Sequence, residues 1–339
     1  MLYLQQMKNP GNFSRIARGM RKVWFICIVL LAIGPLGACA SFDKAAPEST
    51  DTPSYLTPWR SLQTAPQEST FASGMSGGGG LLQLGRPVAV AAWGGVHLYI
   101  ADIGHQAILR YDRMRDTFSI FYRMEISPDT RMQVTMDESL YITDPYNGQV
   151  LHVSRDGILV RTFRDYNLQR PLAVVEDNAR GRILIIDGHF DQILAFNRLG
   201  RLIQIIHPLD DDGQLISGLR DLAIGPEGLY LLDQRQRRIV VTDMEGQFRY
   251  SFGADVLRQP VAIRLEGESR LIVADTFDSS LKVFVAGEKI YHQFASEAVS
   301  VIQLTDLCID GNWLYLADAT GARIEIMQID PGALAKETI

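Results

Sequence analysis

Cysteine is scarce in this chain of 339 residues: Cys27, Cys39 and Cys308 are the only three. Thiols so few and so far apart exclude a disulfide framework and a Cys-rich metal site. Acidic residues are missing from the first 38 positions, which hold five basic ones (Lys8, Arg15, Arg18, Arg21, Lys22). The remainder has 28 Lys and Arg against 39 Asp and Glu, so its formal charge is −11, not the −6 of the whole. Lysine is rare there: Lys44, Lys282, Lys289 and Lys336 stand against 24 arginines. An acidic chain of this kind is excluded as a general nucleic-acid binder, because that function rests on positive charge. Long apolar runs are lacking too. Val23–Ile33 falls short of the ~20 residues of a membrane span, and Gly34 and Pro35 interrupt it. Helical periodicity is absent between Arg86 and Ile329. What is present, 47% hydrophobic and 21% charged residues, is an ordinary folded balance with roughly 250 residues for one large core.

Arg21 and Lys22, the apolar run after them, and Leu36-Gly37-Ala38-Cys39 have the anatomy of a secretory signal. The last four residues resemble the lipobox of bacterial lipoproteins. That resemblance implies cleavage before Cys39 and a lipid on Cys39, which anchors the chain to a membrane of the bacterial cell envelope. Ala40 in the second mature position implies outer-membrane sorting. Residues 1–38 are then the signal peptide, with Met20 a second candidate start. Residues 39–80, with Pro47, Pro53, Pro58, Pro66 and the run Gly77–Gly80, bury little apolar surface and are expected to form a tether.

Six strings repeat along the rest: Leu98-Tyr-Ile-Ala-Asp102, Leu140-Tyr-Ile-Thr-Asp144, Ile183-Leu-Ile-Ile-Asp187, Leu229-Tyr-Leu-Leu-Asp233, Leu271-Ile-Val-Ala-Asp275 and Leu314-Tyr-Leu-Ala-Asp318. An aliphatic residue stands six positions after each aspartate (Ile108, Val150, Ile193, Ile239, Leu281, Ile324). A short strand precedes each string, and a fourth closes most units, as in Leu159-Val-Arg-Thr-Phe163. Four-stranded meanders, here strands a to d, at a period of ~40–45 residues predict a β-propeller. The fold class is therefore all-β, a six-bladed propeller over 81–330, with a tail at 331–339. The sixth unit ends on a strand c, Arg323–Ile329, without a strand d. An open ring has unpaired edges, so closure from the N-terminal side is expected, with Ser69–Ser73 or Leu81–Leu84 as candidates.

Arg86-Pro-Val-Ala-Val90, with its counterparts at 170 and 259, resembles the NHL-repeat family, and the match recurs across 86–330. The resemblance implies a binding face around the central channel. The residues opening strand a are Arg86, Arg131, Arg170, Arg220, Gln259 and Thr305, and a partial arginine ring at the channel mouth would attract carboxylates or phosphates. Pairing of each guanidinium with a nearby turn aspartate, its stem packed on the next blade, is the reading preferred over that ring. The six repeat aspartates are expected to hold their own turns. The variable b–c turn positions are the specificity candidates: His105, Tyr146, Asn147, His189, Phe190, Asp191, Arg235, Arg237, Arg238, Phe277 and Asp278. Asp210-Asp-Asp-Gly213 is expected to be a solvated insertion, and Cys308 a small core residue.

NHL propellers include an amidating lyase, and similar rings include calcium-dependent lactonases. The positions where the lyase family carries zinc histidines are Val88, Gln133, Leu172, Leu222, Val261 and Leu307, with no histidine among them. For a lactonase-like calcium site only Asp221 and Asp306 are candidates. The expectation is therefore a membrane-anchored scaffold that binds an envelope protein, peptide or glycan. A metal-assisted hydrolase or lyase with its site in the channel is the alternative.

Overall fold

The computed structural model describes residues 54–68, 80–285, 291–330 and 332–333. Cys39, the signal segment and much of the expected tether lie outside the described residues, as does Ser69–Ser73. Thr52–Ile339 form one compact unit.

That unit is a six-bladed propeller. Blade 1 comprises Pro87–Trp93, His97–Asp102, Ala107–Asp112 and Thr117–Arg123; blade 2 Met132–Val134, Leu140–Asp144, Gln149–Val153 and Leu159–Phe163; blade 3 Pro171–Asp177, Arg182–Asp187, Gln192–Asn197 and Leu202–Ile206. Blade 4 comprises Leu219–Gly225, Gly228–Asp233, Arg238–Thr242 and Phe248–Phe252; blade 5 Pro260–Glu266, Arg270–Asp275, Ser280–Val285 and Tyr291–Phe294. Blade 6 takes Leu304–Asp310, Trp313–Asp318 and Arg323–Ile329 from the C-terminal end and its outer strand, Leu56–Leu62, from the N-terminal end. Strand a of each blade touches strand a of the next, and that of blade 6 touches that of blade 1, so the ring is closed.

The closing strand is therefore neither sequence candidate. Leu81–Gln83 pairs instead with Thr64–Pro66 beside blade 1. Leu56–Leu62 was hidden by Pro58, since proline within a strand is confined to edges. Here it sits on the outermost strand, where the pairing shifts register between Pro58 and Arg60.

The burial pattern follows from the ring. Strands b and c lie between two neighbouring blades and are apolar on both faces, so Leu140–Asp144 and Arg182–Asp187 are buried throughout. Strand d is half-exposed, as in Leu159–Phe163. Each inter-blade gap holds its own apolar cluster, such as Val88, Tyr99, Ile126 and Leu140 between blades 1 and 2. Clusters of this kind keep the channel wall in place.

Candidate functional site: the channel and its mouth

The repeat aspartates do more than hold their own turns. Asp102 accepts backbone N–H groups from His105 in its turn, and also from Gly85 and Arg86 before strand a. Asp187, Asp275 and Asp318 do the same for Gln169 and Arg170, Arg258 and Gln259, and Ile302 and Gln303. One carboxylate thus ties the b–c turn to the start of the innermost strand.

The strand-a arginines do not form one ring. Arg86, Arg170 and Gln259 share a register, because their carbonyls accept the N–H that follows the repeat aspartate. In blades 4 and 6 that role falls to Gly218 and Gln303. Arg220 and Thr305 lie two residues further on, at the register shift that opens strand a. Arg131 lies deeper still, with its carbonyl on the N–H of Thr143. It shares its level with Ala89, Ala173, Asp221, Ala262 and Asp306, each paired with the residue before a repeat aspartate. Two residues below stand Ala91, Gln133, Val175, Ala223, Arg264 and Cys308, which line a cavity of about 270 Å³.

These two levels hold a compensated charge cluster. Arg264 donates to Asp221 at 2.6 Å and to Asp306 at 3.1 Å. Arg131, 3% exposed, places Nε 3.8 Å from Asp306 and donates to the carbonyls of Thr130 and Thr305. The other oxygens of the carboxylates satisfy strand edges: Asp306 accepts the N–H of Val90, and Asp221 that of Ile263. Gln133 does the same for Glu176. Each of these groups caps the inner edge of another blade, whose N–H groups have no strand partner on the channel side. Burial opposes the charge on Arg264, but Asp221 and Asp306 outweigh it and its pKa rises. Burial, with Arg220 close by, pushes Arg131 down to about 10. Burial also pushes the Cys308 thiol up to about 12, so it stays protonated. Cys308 lines the channel as well as packing on the core, which corrects the sequence expectation.

Asp221 and Asp306 therefore face guanidinium groups. A calcium site needs several converging oxygens free of such partners, and these residues do not fit one. Among the described residues no three His, Cys, Asp or Glu side chains converge as metal ligands.

At the mouth, Arg170 and Arg220 share one carboxylate, Asp129, at 2.6 and 2.7 Å. Arg86 is exposed. His105 Nδ1 lies 3.3 Å from Asp102, and Asn147 donates to Asp144. Phe190 meets His189 edge-on at 4.5 Å. Asp278 is bound by Ser280 and Lys282, with its carboxyl held below the ordinary value despite burial. Arg235 reaches Ser217 at 3.3 Å, and Arg237 is exposed. Arg238 leaves that basic run and is buried against Asp233, Asp210 and Asp211. The insertion at 210–213 is thus docked through Asp210 and Arg238, not solvated throughout. Arg264 and Asp129 had escaped the sequence reading, which met Gln133 only as a position without a zinc histidine. Arg264 could have been noticed as the arginine at a strand-a level otherwise held by small or neutral side chains.

On the opposite face, Ser139 Oγ lies 2.7 Å from His152 Nε2. Ser139 also donates to Asp137 at 2.9 Å. The hydroxyl proton is committed to the carboxylate, so His152 donates to the serine and the pair supports its turn.

Asp129 gives a pH signature. Burial raises its pKa, but Arg220 and Arg170 outweigh that and hold it at about 2. A carboxyl lowered in the folded state stabilises above its unfolded value of ~3.9 and loses that contribution as pH falls towards 2. Asp129→Asn is expected to lower the urea midpoint at neutral pH and to flatten its fall between about pH 4 and 2. Parallel midpoint-against-pH curves for the two proteins would refute the assignment.

No family model matches the chain, and no curated protein matches it. Solved structures do. Virginiamycin B lyase from Staphylococcus aureus aligns at 12% identity with a TM-score of 0.53, covering 72% of this chain and 95% of the lyase. A streptogramin B lyase aligns at 10% identity and 0.54, covering 81% and 98%. Hydrazine synthase from Kuenenia stuttgartiensis aligns at 12% and 0.52, covering 74% and 86%. At such identities the likeness is one of fold, and the chain is a six-bladed β-propeller with four-stranded blades.

Proposed function

We propose that the chain is an envelope lipoprotein of the NHL-repeat type whose propeller mouth binds a protein, peptide or glycan partner. One observation carries this reading. Tyr146, Phe190 and Phe277 are 57%, 49% and 62% exposed on the b–c turns of blades 2, 3 and 5, and Arg235 and Arg237 lie on the turn of blade 4 between them. Arg258 lies over the Phe277 ring at 5.3 Å. Aromatic rings and arginines displayed on one face are the composition of binding hot spots. The channel beneath supports a scaffold more than an enzyme, because its charged groups are spent on one another and on strand edges. The lipobox-like Leu36-Gly37-Ala38-Cys39 supports a lipid on Cys39, and Ala40 supports the outer membrane.

A photo-crosslinking residue in place of Phe190, in living cells, tests the face. A discrete adduct is expected, reduced at least tenfold when Tyr146 and Phe277 become alanine, in line with hot-spot losses of about 2 kcal/mol. In a Cys39→Ala background the protein should leave the membrane fraction or stall unprocessed. An adduct indifferent to both aromatic changes, or none at all, overturns the mouth as the binding face.

A further inference from the structure

The face opposite the mouth carries the a–b and c–d turns. In blades 1, 2 and 3 the c–d turn ends in an exposed apolar side chain: Met114 is 80% exposed, Ile158 65% and Leu199 64%. Met136, on the a–b turn of blade 2, is 80% exposed. Arginines flank these tips, and Arg155 and Arg201 are exposed there. The acidic groups of the same turns are mostly engaged in hydrogen bonds within the protein. Asp112 is half-buried and accepts the N–H groups of Met114 and Arg115; Asp116, Asp137 and Asp156 are exposed, but Asp116 binds Arg60 and Asp137 binds Thr135 and Ser139. Blade 4 shows the contrast. Its c–d turn is the acidic Asp243-Met-Glu-Gly, and Met244 is buried. Among the described residues, which leave out the blade 5 turn at 286–290, the exposed apolar tips of the c–d turns belong to blades 1 to 3.

The N-terminal chain enters the ring on the same face. Leu56 pairs with Ile329, the last residue of strand c in blade 6, and Tyr55 accepts the N–H of Asp330 beyond it. Blade 6 adjoins blade 1. Cys39 precedes Ser54 by 15 residues, a reach of at most about 50 Å.

We propose that this face rests on an anionic bilayer, with Met114, Met136, Ile158 and Leu199 entering the interface and Arg155 and Arg201 on lipid phosphates. Apolar tips ringed by arginine suit that surface, where buried apolar area and attraction to anionic headgroups add. The lipid on Cys39 belongs to the proposed function, but the contact of the turn tips needs no lipid on the protein. Docked in this way, the mouth points away from the membrane.

The test uses the chain from Thr52, which keeps every blade strand and has no signal segment. It should co-sediment with phosphatidylethanolamine–phosphatidylglycerol vesicles, weakly with phosphatidylcholine vesicles, and less as salt rises. Met114→Ser, Ile158→Ser and Leu199→Ser together should cut partitioning about tenfold, and Arg155→Glu with Arg201→Glu by about tenfold or more. Circular dichroism of each variant should stay native. Equal partitioning of native and serine variants overturns the proposal, as does absence of binding to the anionic vesicles. A self-association lost in the serine variant, without vesicle binding, would make the face a contact between copies instead and equally overturn it. Tyr146→Ala with Phe190→Ala should leave vesicle binding unchanged, so a failure on this face leaves the mouth reading standing, and the reverse.

Discussion

Arg264→Leu is expected to destabilise the propeller by about 3 kcal/mol, the low end of the cost of removing one partner from a buried ion pair. The low end applies because Arg264 retains some exposure to the channel, its side chain being 23% accessible. The loss would leave Asp221 without its guanidinium and Asp306 with Arg131 at 3.8 Å as its remaining charge partner. For a domain of this size the thermal midpoint should fall by about 6–12 °C. Adding Asp221→Asn and Asp306→Asn should recover most of the loss, because an amide oxygen can still accept the N–H of Ile263 and Val90 while the uncompensated charges are gone. The pH dependence has a definite sign. Asp306 already titrates above its ordinary value, since burial outweighs Arg264 and Arg131. A carboxyl raised in the folded state favours folding below its unfolded pKa, and that advantage disappears as pH rises through the folded value. Removing Arg264 enlarges the rise, so the deficit against the native protein should be greatest near neutrality and shrink towards pH 4. Urea midpoints across that range measure it. A deficit independent of pH, or a triple variant as weak as the single one, would show that Arg264 acts through packing and not through the carboxylates.

The residues of this cluster show where sequence reading succeeds and where it stops. Strands b and c were legible because they are sandwiched between blades, and that burial forces the aliphatic strings ending in Asp102, Asp144, Asp187, Asp233, Asp275 and Asp318. The heights of the strand-a arginines were not legible from the Ala-Val pairs that follow them. A register shift after Pro87, Pro171, Leu219, Pro260 or Leu304 moves the chain relative to strand b. The spacing to the repeat aspartate held part of the signal. Arg86, Arg170 and Gln259 stand 16 or 17 residues before it, whereas Arg131, Arg220 and Thr305 stand 13 before it; Arg131 still lies one residue deeper than the other two, because strand a of blade 2 has no register shift. Ion pairs across the ring, such as Arg264 with Asp306 or Arg220 with Asp129, join residues 42 and 91 positions apart. No local pattern encodes them. The mouth aromatics were legible as variable turn positions, because the turn holds its own backbone through the aspartate and leaves the neighbouring side chains unconstrained.

Starting the chain at Gln63 is expected to abolish the native ring altogether. That truncation removes Leu56–Leu62, the outer strand of blade 6, and leaves Arg323–Ile329 as an unpaired apolar edge. The strand contributes more than ladder hydrogen bonds. Leu62 is fully buried with Leu82, Leu84 and Leu98 between blades 6 and 1. Trp59 meets Trp313 edge-on at 5.3 Å, and the Arg113 guanidinium lies 4.8 Å from the Trp59 ring and 4.5 Å from Trp313 while donating to the Tyr315 hydroxyl at 2.8 Å. Arg113 belongs to blade 1 and both its other partners to blade 6, so the closing strand and the cation fasten the two ends of the ring across one gap. Removing a buried leucine alone costs about 3 kcal/mol, and each cation–π contact about 1. Their joint loss, with the ladder, consumes most of a stability of about 5–15 kcal/mol. The truncated chain should elute as oligomers, because an open apolar edge recruits another strand. A synthetic peptide spanning 54–63, supplied in excess, should restore a monomer that unfolds cooperatively, and the same peptide with Trp59→Ala and Leu62→Ala should not. The chain starting at Thr52 is the control and should fold as a monomer. A truncated chain that elutes as a monomer and unfolds in one transition without the peptide would show that blade 6 is held by its three C-terminal strands, and that the N-terminal strand is an attachment and not the clasp.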